Sequence, residues 1–271
     1  PVLLPSGSLD TTFAGGGVAS TDINGGTERA RAVAIQSDGK YVVAGWGEVA
    51  SGNDDFALAR FNADGSLDTS FSTDGKQTTG FAGDEQASAV AIQSDGKVVV
   101  AGTANAGGTG ADFALVRYNA DGSLDTSFGT GGKVVTALSA GQDTARGMVL
   151  QADGKILVAG SSDEADARNN KLALVRYNAD GSLDSTFGTG GTAFADFVFF
   201  DTGQAVALQP NGKILVGGYV ATGEGRLDMT VARFNPDGSL DTTFDGDGKA
   251  SFNPTANHDL TMAIATQPDG K

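Results

Sequence analysis

Residues 118–128 read YNADGSLDTSF, and the string returns with small changes as FNADGSLDTSF at 61–71 and FNPDGSLDTTF at 234–244. Its Gly-Ser-Leu-Asp core begins at Gly7, Gly65, Gly122, Gly181 and Gly238, in steps of 58, 57, 59 and 57 residues. A second marker, Asp-Gly-Lys or Asn-Gly-Lys, places its glycine at Gly39, Gly96, Gly154, Gly212 and Gly270, in phase with the first. Self-similarity at a fixed period marks a repeat architecture, in which stacked units bury a core that none could build alone. The 271 residues are read as one repeat domain of five units of about 58 residues: 7–64, 65–121, 122–180, 181–237 and an incomplete 238–271.

Inside a unit, short extended runs alternate with turn residues, and no helical period survives from copy to copy. In the third copy Lys133 to Thr136, Arg146 to Gln151, Ile156 to Ala159 and Leu172 to Tyr177 predict four strands, grouped as one blade. Gly154 offers the positive φ of a tight hairpin between the second and third. Asn178-Ala179-Asp180-Gly181 predicts a further turn that ends the blade. Val98-Val99-Val100-Ala101 and Ile214-Leu215-Val216-Gly217 are apolar on both faces, so both faces must be covered. Radial stacking of four-stranded antiparallel blades does this with little exposed edge. The signature Leu and Phe, such as Leu124 and Phe128, are expected to plug the space between blades. The fold expected is an all-β β-propeller, or an arc of one. The last copy stops at Lys271, before its third strand, so the sequence reads as a section of a longer chain; closure at five blades and a larger ring both fit the repeat.

The repeated FNADGSLDTSF, YNADGSLDTSF and FNPDGSLDTTF strings resemble the delta-60 repeat family over essentially the whole chain. That resemblance implies a bacterial, exported or surface-bound protein with propeller-like repeats, and no shared catalytic activity. The first copy departs from the pattern: PVLLPSGSLDTTF lacks the Asn and Asp that precede the glycine elsewhere.

With 33 acidic against 18 basic residues the formal charge is −15, which repels nucleic acid and anionic lipid. No cysteine is present, so there is no disulfide, thiolate ligand or thiol nucleophile, and His258, the lone histidine, is a poor basis for a zinc site or a Ser-His-Asp arrangement. No apolar run approaches the roughly 20 residues of a membrane-spanning helix, so membrane insertion is not expected.

Three groups of candidate residues emerge. Eight positions before a shared glutamine, every copy carries an acid: Glu28, Glu85, Asp143, Asp201 and Asp259. They would either ring a channel mouth and attract a cation, or each cap a local turn. Arg60, Arg117, Arg176 and Arg233 precede Asp68, Asp125, Asp184 and Asp241 by eight residues and predict structural ion pairs, to the strand's own exit turn or across to the next blade. Asn-Ala-Asp-Gly-Ser-Leu-Asp carries many oxygens but lacks EF-hand spacing and reads as a β-turn. The third group breaks the repeat: Phe194, Phe197, Phe199 and Phe200 crowd one loop where the third copy has Thr136, Ser139, Gly141 and Gln142, while Trp46 and Tyr219 follow their third strands where other copies have Thr103 and Ser161. These aromatics are candidate ligand contacts, or local core. The most variable loops, 47–54, 104–111, 162–170 and 220–226, are where recognition would be placed.

The function expected is a noncatalytic structural or adhesive module that binds glycan or protein outside the cell, with no cofactor, or calcium alone. The alternative is a calcium-dependent propeller enzyme acting on carbohydrate or lactone. No pair among the 33 carboxylates is singled out for glycoside hydrolysis.

Overall fold

In a computed structural model of the chain, residues 7–50, 52–105, 110–163, 170–197, 200–222, 225–255 and 257–270 are described. They form four four-stranded antiparallel sheets and a single short 3-10 turn, Phe13–Gly15. Blade 1 holds β1 (Glu28–Ile35), β2 (Tyr41–Ala50), β3 (Asn53–Phe61) and β4 (Lys76–Thr79). Blade 2 holds β5 (Glu85–Ile92), β6 (Val98–Ala104), β7 (Asp112–Tyr118) and β8 (Lys133–Thr136). Blade 3 holds β9 (Asp143–Leu150), β10 (Ile156–Asp163), β11 (Asn170–Tyr177) and β12 (Thr192–Ala195). Blade 4 holds β13 (Asp201–Leu208), β14 (Ile214–Ala221), β15 (Leu227–Phe234) and β16 (Lys249–Phe252). The inner strands β1, β5, β9 and β13 each lie against the next, so the blades fan about one axis as an open arc. Among the described residues no helix is long and apolar enough to cross a membrane.

The strands fall where the sequence places them, but one grouping is corrected. Lys133–Thr136 pairs with β7 and completes blade 2, instead of opening the blade that follows it. The signature turn therefore does not end a blade. Asp125 N–H bonds back to the Arg117 carbonyl, folding the chain into a bend that returns it antiparallel to the strand it has just left. Each sheet straddles the boundary between two sequence units.

The apolar third strands are covered on both sides as expected: Val98, Val99 and Val100 are fully buried, and so are Ile156, Leu157 and Val158. They alternate between the core shared with the preceding blade and that shared with the following one. Phe71, Phe128 and Phe187 of the signatures are completely buried between blades, each worth roughly 1.5–3 kcal/mol of transfer free energy. The signature leucines bridge to the end of the preceding strand at the sheet margin; Leu124 and Leu240 are partly buried and pack against the interblade cores as expected, whereas Leu183 is exposed.

Two buried hydroxyls also join blades. Tyr118 donates to Thr79 at 2.7 Å and Tyr177 to Thr136 at 3.0 Å, each across an interface. At the next interface Phe234 and Ala195 stand in the same places, inside one apolar cluster. The hydroxyls are thus gained or lost as a pair, as expected where an unpartnered buried hydroxyl is costly. Tyr177→Phe alone should lower stability by about 1–2 kcal/mol by stranding Thr136. Adding Thr136→Ala should recover most of that loss, giving a positive coupling in a urea-denaturation double-mutant cycle.

Candidate functional site

The repeated charged residues serve the blades. Arg117 donates through Nε to Asp125 at 2.7 Å and through Nη1 to the carbonyl of Ala179 in blade 3, with its guanidinium 4.6 Å from the centre of the Phe128 ring. Lys97 adds a second cation to Asp125 at 2.8 Å. Arg60 with Asp68 and Lys40, and Arg176 with Asp184 and Lys155, repeat the arrangement, reaching Ala120 and Pro236 in the next turn. Both expected partners, the exit turn and the neighbouring blade, are therefore engaged at once. Asp121 closes its own turn by accepting from Ser123 N–H at 2.9 Å and Ser123 Oγ at 2.7 Å, which uses the oxygens of the Asn-Ala-Asp-Gly run.

Four of the five acids stand at the entrance to the inner strands: Glu28, Glu85, Asp143 and Asp201 are the first residues of β1, β5, β9 and β13, whereas Asp259 lies outside any strand. Glu85, Asp143 and Asp201 are buried. Glu85 accepts from Gly83 N–H at 2.9 Å, Asp143 from Leu138 and Ser139 N–H at 2.6 and 3.0 Å, and Asp201 from Phe197 N–H at 2.6 Å. Asp259 accepts from Thr255 N–H at 3.1 Å, and Glu28 from Asn24 N–H at 3.3 Å. Each acid caps its own loop. Among the described residues no three His, Cys, Asp or Glu side chains are grouped so as to hold a metal ion.

The latch aspartates Asp68, Asp125, Asp184 and Asp241 respond to pH oppositely to Glu85 and Asp201. Burial alone would raise Asp68 and Asp125, but hydrogen bonds from Lys40 and Lys97 and from Ser70 and Ser127, with the charges of Arg60 and Arg117, hold both well below the usual carboxylate range. Hydrogen bonds from Lys155 and Lys213, then from Thr186 and Thr243, do the same for Asp184 and Asp241. Burial pushes Asp201 up to about 7, against the opposing Phe197 N–H, and raises Glu85 too. Acids lowered on folding stabilise the fold above their ordinary pKa of about 4 and lose that contribution as pH falls below it. A raised acid is ionised more readily unfolded, so Asp201 costs stability as pH climbs from about 4 to about 7. The melting temperature should therefore fall steeply below about pH 4. Asp201→Asn should flatten the profile between about pH 4 and 7 and leave the acid limb in place.

The aromatic candidates divide. Phe197 is half-buried against the core between blades 3 and 4, with Lys249 Nζ 5.6 Å from its ring centre. Phe81 holds the equivalent place in blade 2, with Lys133 Nζ at 5.3 Å. Phe197 is thus a repeat feature, missed because the third copy has Leu138 there. Phe194 takes the register of Val135, not of Thr136, and both Phe194 and Val135 are exposed. Phe200 is exposed, and Phe199 lies outside the described residues. Trp46 and Tyr219 occupy the same register in β2 and β14, in the first and fourth blades. Trp46 lies under the Arg29 guanidinium, 5.6 Å from the ring centre, in a cleft of about 440 Å³ against Ala19, Ile23, Leu58 and Phe61. Tyr219 is half-buried. The variable loops fall partly outside the described residues.

One cleft at the axis gathers residues that the sequence reading did not single out. Each inner strand carries one β-bulge, and the extra residue is Arg31 in β1, Ser88 in β5, Arg146 in β9 and Gln204 in β13. All four line one cleft of about 710 Å³ between the inner strands, and Met262 of the fifth unit lines it too. A bulge re-aims a side chain out of the ladder, and bulges recur beside binding sites for that reason. Here they turn an inner-strand position held by Arg, Ser, Arg and Gln in successive blades toward the axis. The cleft reaches Asn105, Gly110 and Ala111, which flank the variable β6–β7 connection, so it opens on the face of those loops. The legible signal was a variable residue between small ones, as in Ala30-Arg31-Ala32, Ala87-Ser88-Ala89, Ala145-Arg146-Gly147 and Gly203-Gln204-Ala205.

The chain is similar to an alpha-L-arabinofuranosidase from Lactobacillus brevis at 13% identity, over 92% of this chain and 83% of that one, with a TM-score of 0.52. It is also similar to a protein of unknown function from Dyadobacter fermentans (14% identity, 91% and 74% coverage, TM-score 0.49) and to a glucose dehydrogenase (15%, 75% and 65%, TM-score 0.47). At such identities the likeness shows the fold alone. No curated protein matches the sequence. Residues 36–71, 93–128, 151–187 and 209–244, more than half of the chain, match the domain of unknown function DUF5122 beta-propeller, and the chain belongs to that β-propeller family.

Proposed function

We propose that the chain is a noncatalytic adhesive module of a secreted or surface-exposed bacterial protein, binding glycan on the loop face of the arc. The observation that carries this reading is a division of labour. The charged residues common to the blades are spent on caps and interblade latches, whereas the bulged inner-strand residues, Arg, Ser, Arg and Gln in turn, converge on one open, polar cleft at the axis. A rigid scaffold with variable residues around a concave site suits recognition. The extracellular bacterial setting rests on the resemblance to delta-60 repeats.

The test is retention of the labelled chain on a glycan array with calcium and with a chelator, beside calorimetric calcium titration and release assays on lactones and aryl glycosides. The expected result is retention that survives chelation, with no turnover. One tight calcium site together with hydrolysis of a lactone or glycoside would replace this reading with an enzyme.

A further inference from the structure

We infer that the axial cleft selects acidic saccharides, those bearing carboxylate or sulfate groups, and that Arg31 and Arg146 are the residues that hold the anion. The inference rests on the glycan-binding reading and adds the ligand's chemistry. Among the described residues neither arginine has a hydrogen bond or ion pair, and both are exposed in the cleft. Arg29 likewise has no such partner among the described residues, but lies over the Trp46 ring. The blade arginines Arg60, Arg117, Arg176 and Arg233 are each bonded to an aspartate, and the chain has 33 acids for 18 basic residues. In so acidic a protein an unpaired guanidinium attracts any free carboxylate nearby, yet Asp84 is the one acid in the lining. The cleft lining thus holds two guanidinium groups and one carboxylate.

The remaining lining suits a sugar. Gln86, Gln142, Thr144 and Gln204 line the same cleft and supply amide and hydroxyl donors and acceptors. Its volume of about 710 Å³ falls within the range of ligand sites and admits a short oligosaccharide. Guanidinium forks match the planar carboxylate of a uronate and the oxygens of a sulfate ester, so either group satisfies the same donors. Both arginines reach the cleft from bulges, so their direction is set by the backbone and not by a flexible loop.

The experiment is calorimetric titration of the full chain with three oligosaccharides of equal length, one uronate-rich, one sulfated and one neutral, and with inorganic phosphate as a bare anion. Arg31→Gln and Arg146→Gln change exposed, unpaired side chains, so circular dichroism and the melting point should match the parent. Binding of the uronate or the sulfated saccharide is expected, with affinity falling about tenfold for each substitution, falling with added salt, and partly recovered in Arg31→Lys and Arg146→Lys. Which acidic saccharide binds identifies the anion. Equal binding of the neutral saccharide, unchanged by the Gln variants, would overturn this inference and leave the glycan-binding reading standing. Phosphate bound as tightly as either acidic saccharide would overturn it as well. Absence of binding to every saccharide would overturn both.

Discussion

Asp125→Ala should cost the arc about 3–5 kcal/mol, measured as a shift of the urea midpoint. The Asp125 carboxylate is buried and holds Arg117 Nε at 2.7 Å, Lys97 Nζ at 2.8 Å and Ser127 Oγ at 2.6 Å. Its removal leaves the guanidinium of Arg117, a residue only 6% exposed, enclosed against Phe128 without a counter-charge. The loss is the penalty of that stranded charge, more than the worth of the pair, so Arg117→Met with Asp125→Leu should recover much of it. Because Arg117 also bonds Ala179 in blade 3, the damage falls on the central interface. Repeat proteins owe their cooperativity to such nearest-neighbour terms, so the transition should broaden as well as shift. Asp241→Ala is the internal comparison: Arg233 is more exposed, and its Nη1 finds no acceptor among the described residues. Its effect should be clearly smaller. Equal losses at the two positions would mean that the latch to the next blade contributes nothing.

The repeat made most of this architecture legible before any coordinates. Turn residues announce themselves locally, because Gly39, Gly96, Gly154, Gly212 and Gly270 all take φ near +84° in their turns. Strands buried on both faces announce themselves through runs such as Val98 to Ala101. What a local pattern does not carry is the choice between two neighbouring sheets that would accept the same four-residue strand. Lys133–Thr136 went to the sheet behind it because the bend from Asp125 to Gly132 reverses the chain, with Gly132 N–H on the Phe128 carbonyl. The candidate site was obscured for a related reason. The repeated acids and rare aromatics stand out more than Arg31, Ser88, Arg146 and Gln204, which follow no complete repeat and are common residue types. They are united only by a backbone irregularity that becomes visible in the register.

That irregularity leads to the second large effect, Gly160→Ala, which should cost about 3 kcal/mol or more, the upper end of what an inserted methyl group does in a packed site. Gly160 lies on β10 opposite Ala145, next to the bulged Arg146. A Cβ there would stand 1.9 Å from the Thr144 carbonyl oxygen and 2.8 Å from the Phe113 ring, and the first of these is backbone that no rotamer change can move. Gly45, Gly102 and Gly218 face the same approach in the other blades, at 1.8, 2.2 and 1.8 Å. The glycine is therefore required by contact with the bulge and not by its own φ. Gly131→Ala separates the two causes, since Gly131 has φ +62° and open space around it; it should cost only about 1 kcal/mol. If β9 escapes the Gly160→Ala clash by losing its bulge, the register of 143–145 slips by one and every side chain there changes face. Asp143 would then leave its cap and Arg146 the cleft, so stability and saccharide binding should fall together. Arg146→Gln, by contrast, should lower binding alone. A Gly160→Ala protein that melts with the parent would show that β9 and β10 do not approach as closely as the bulge requires, and would remove the structural basis for aiming Arg146 at the axis.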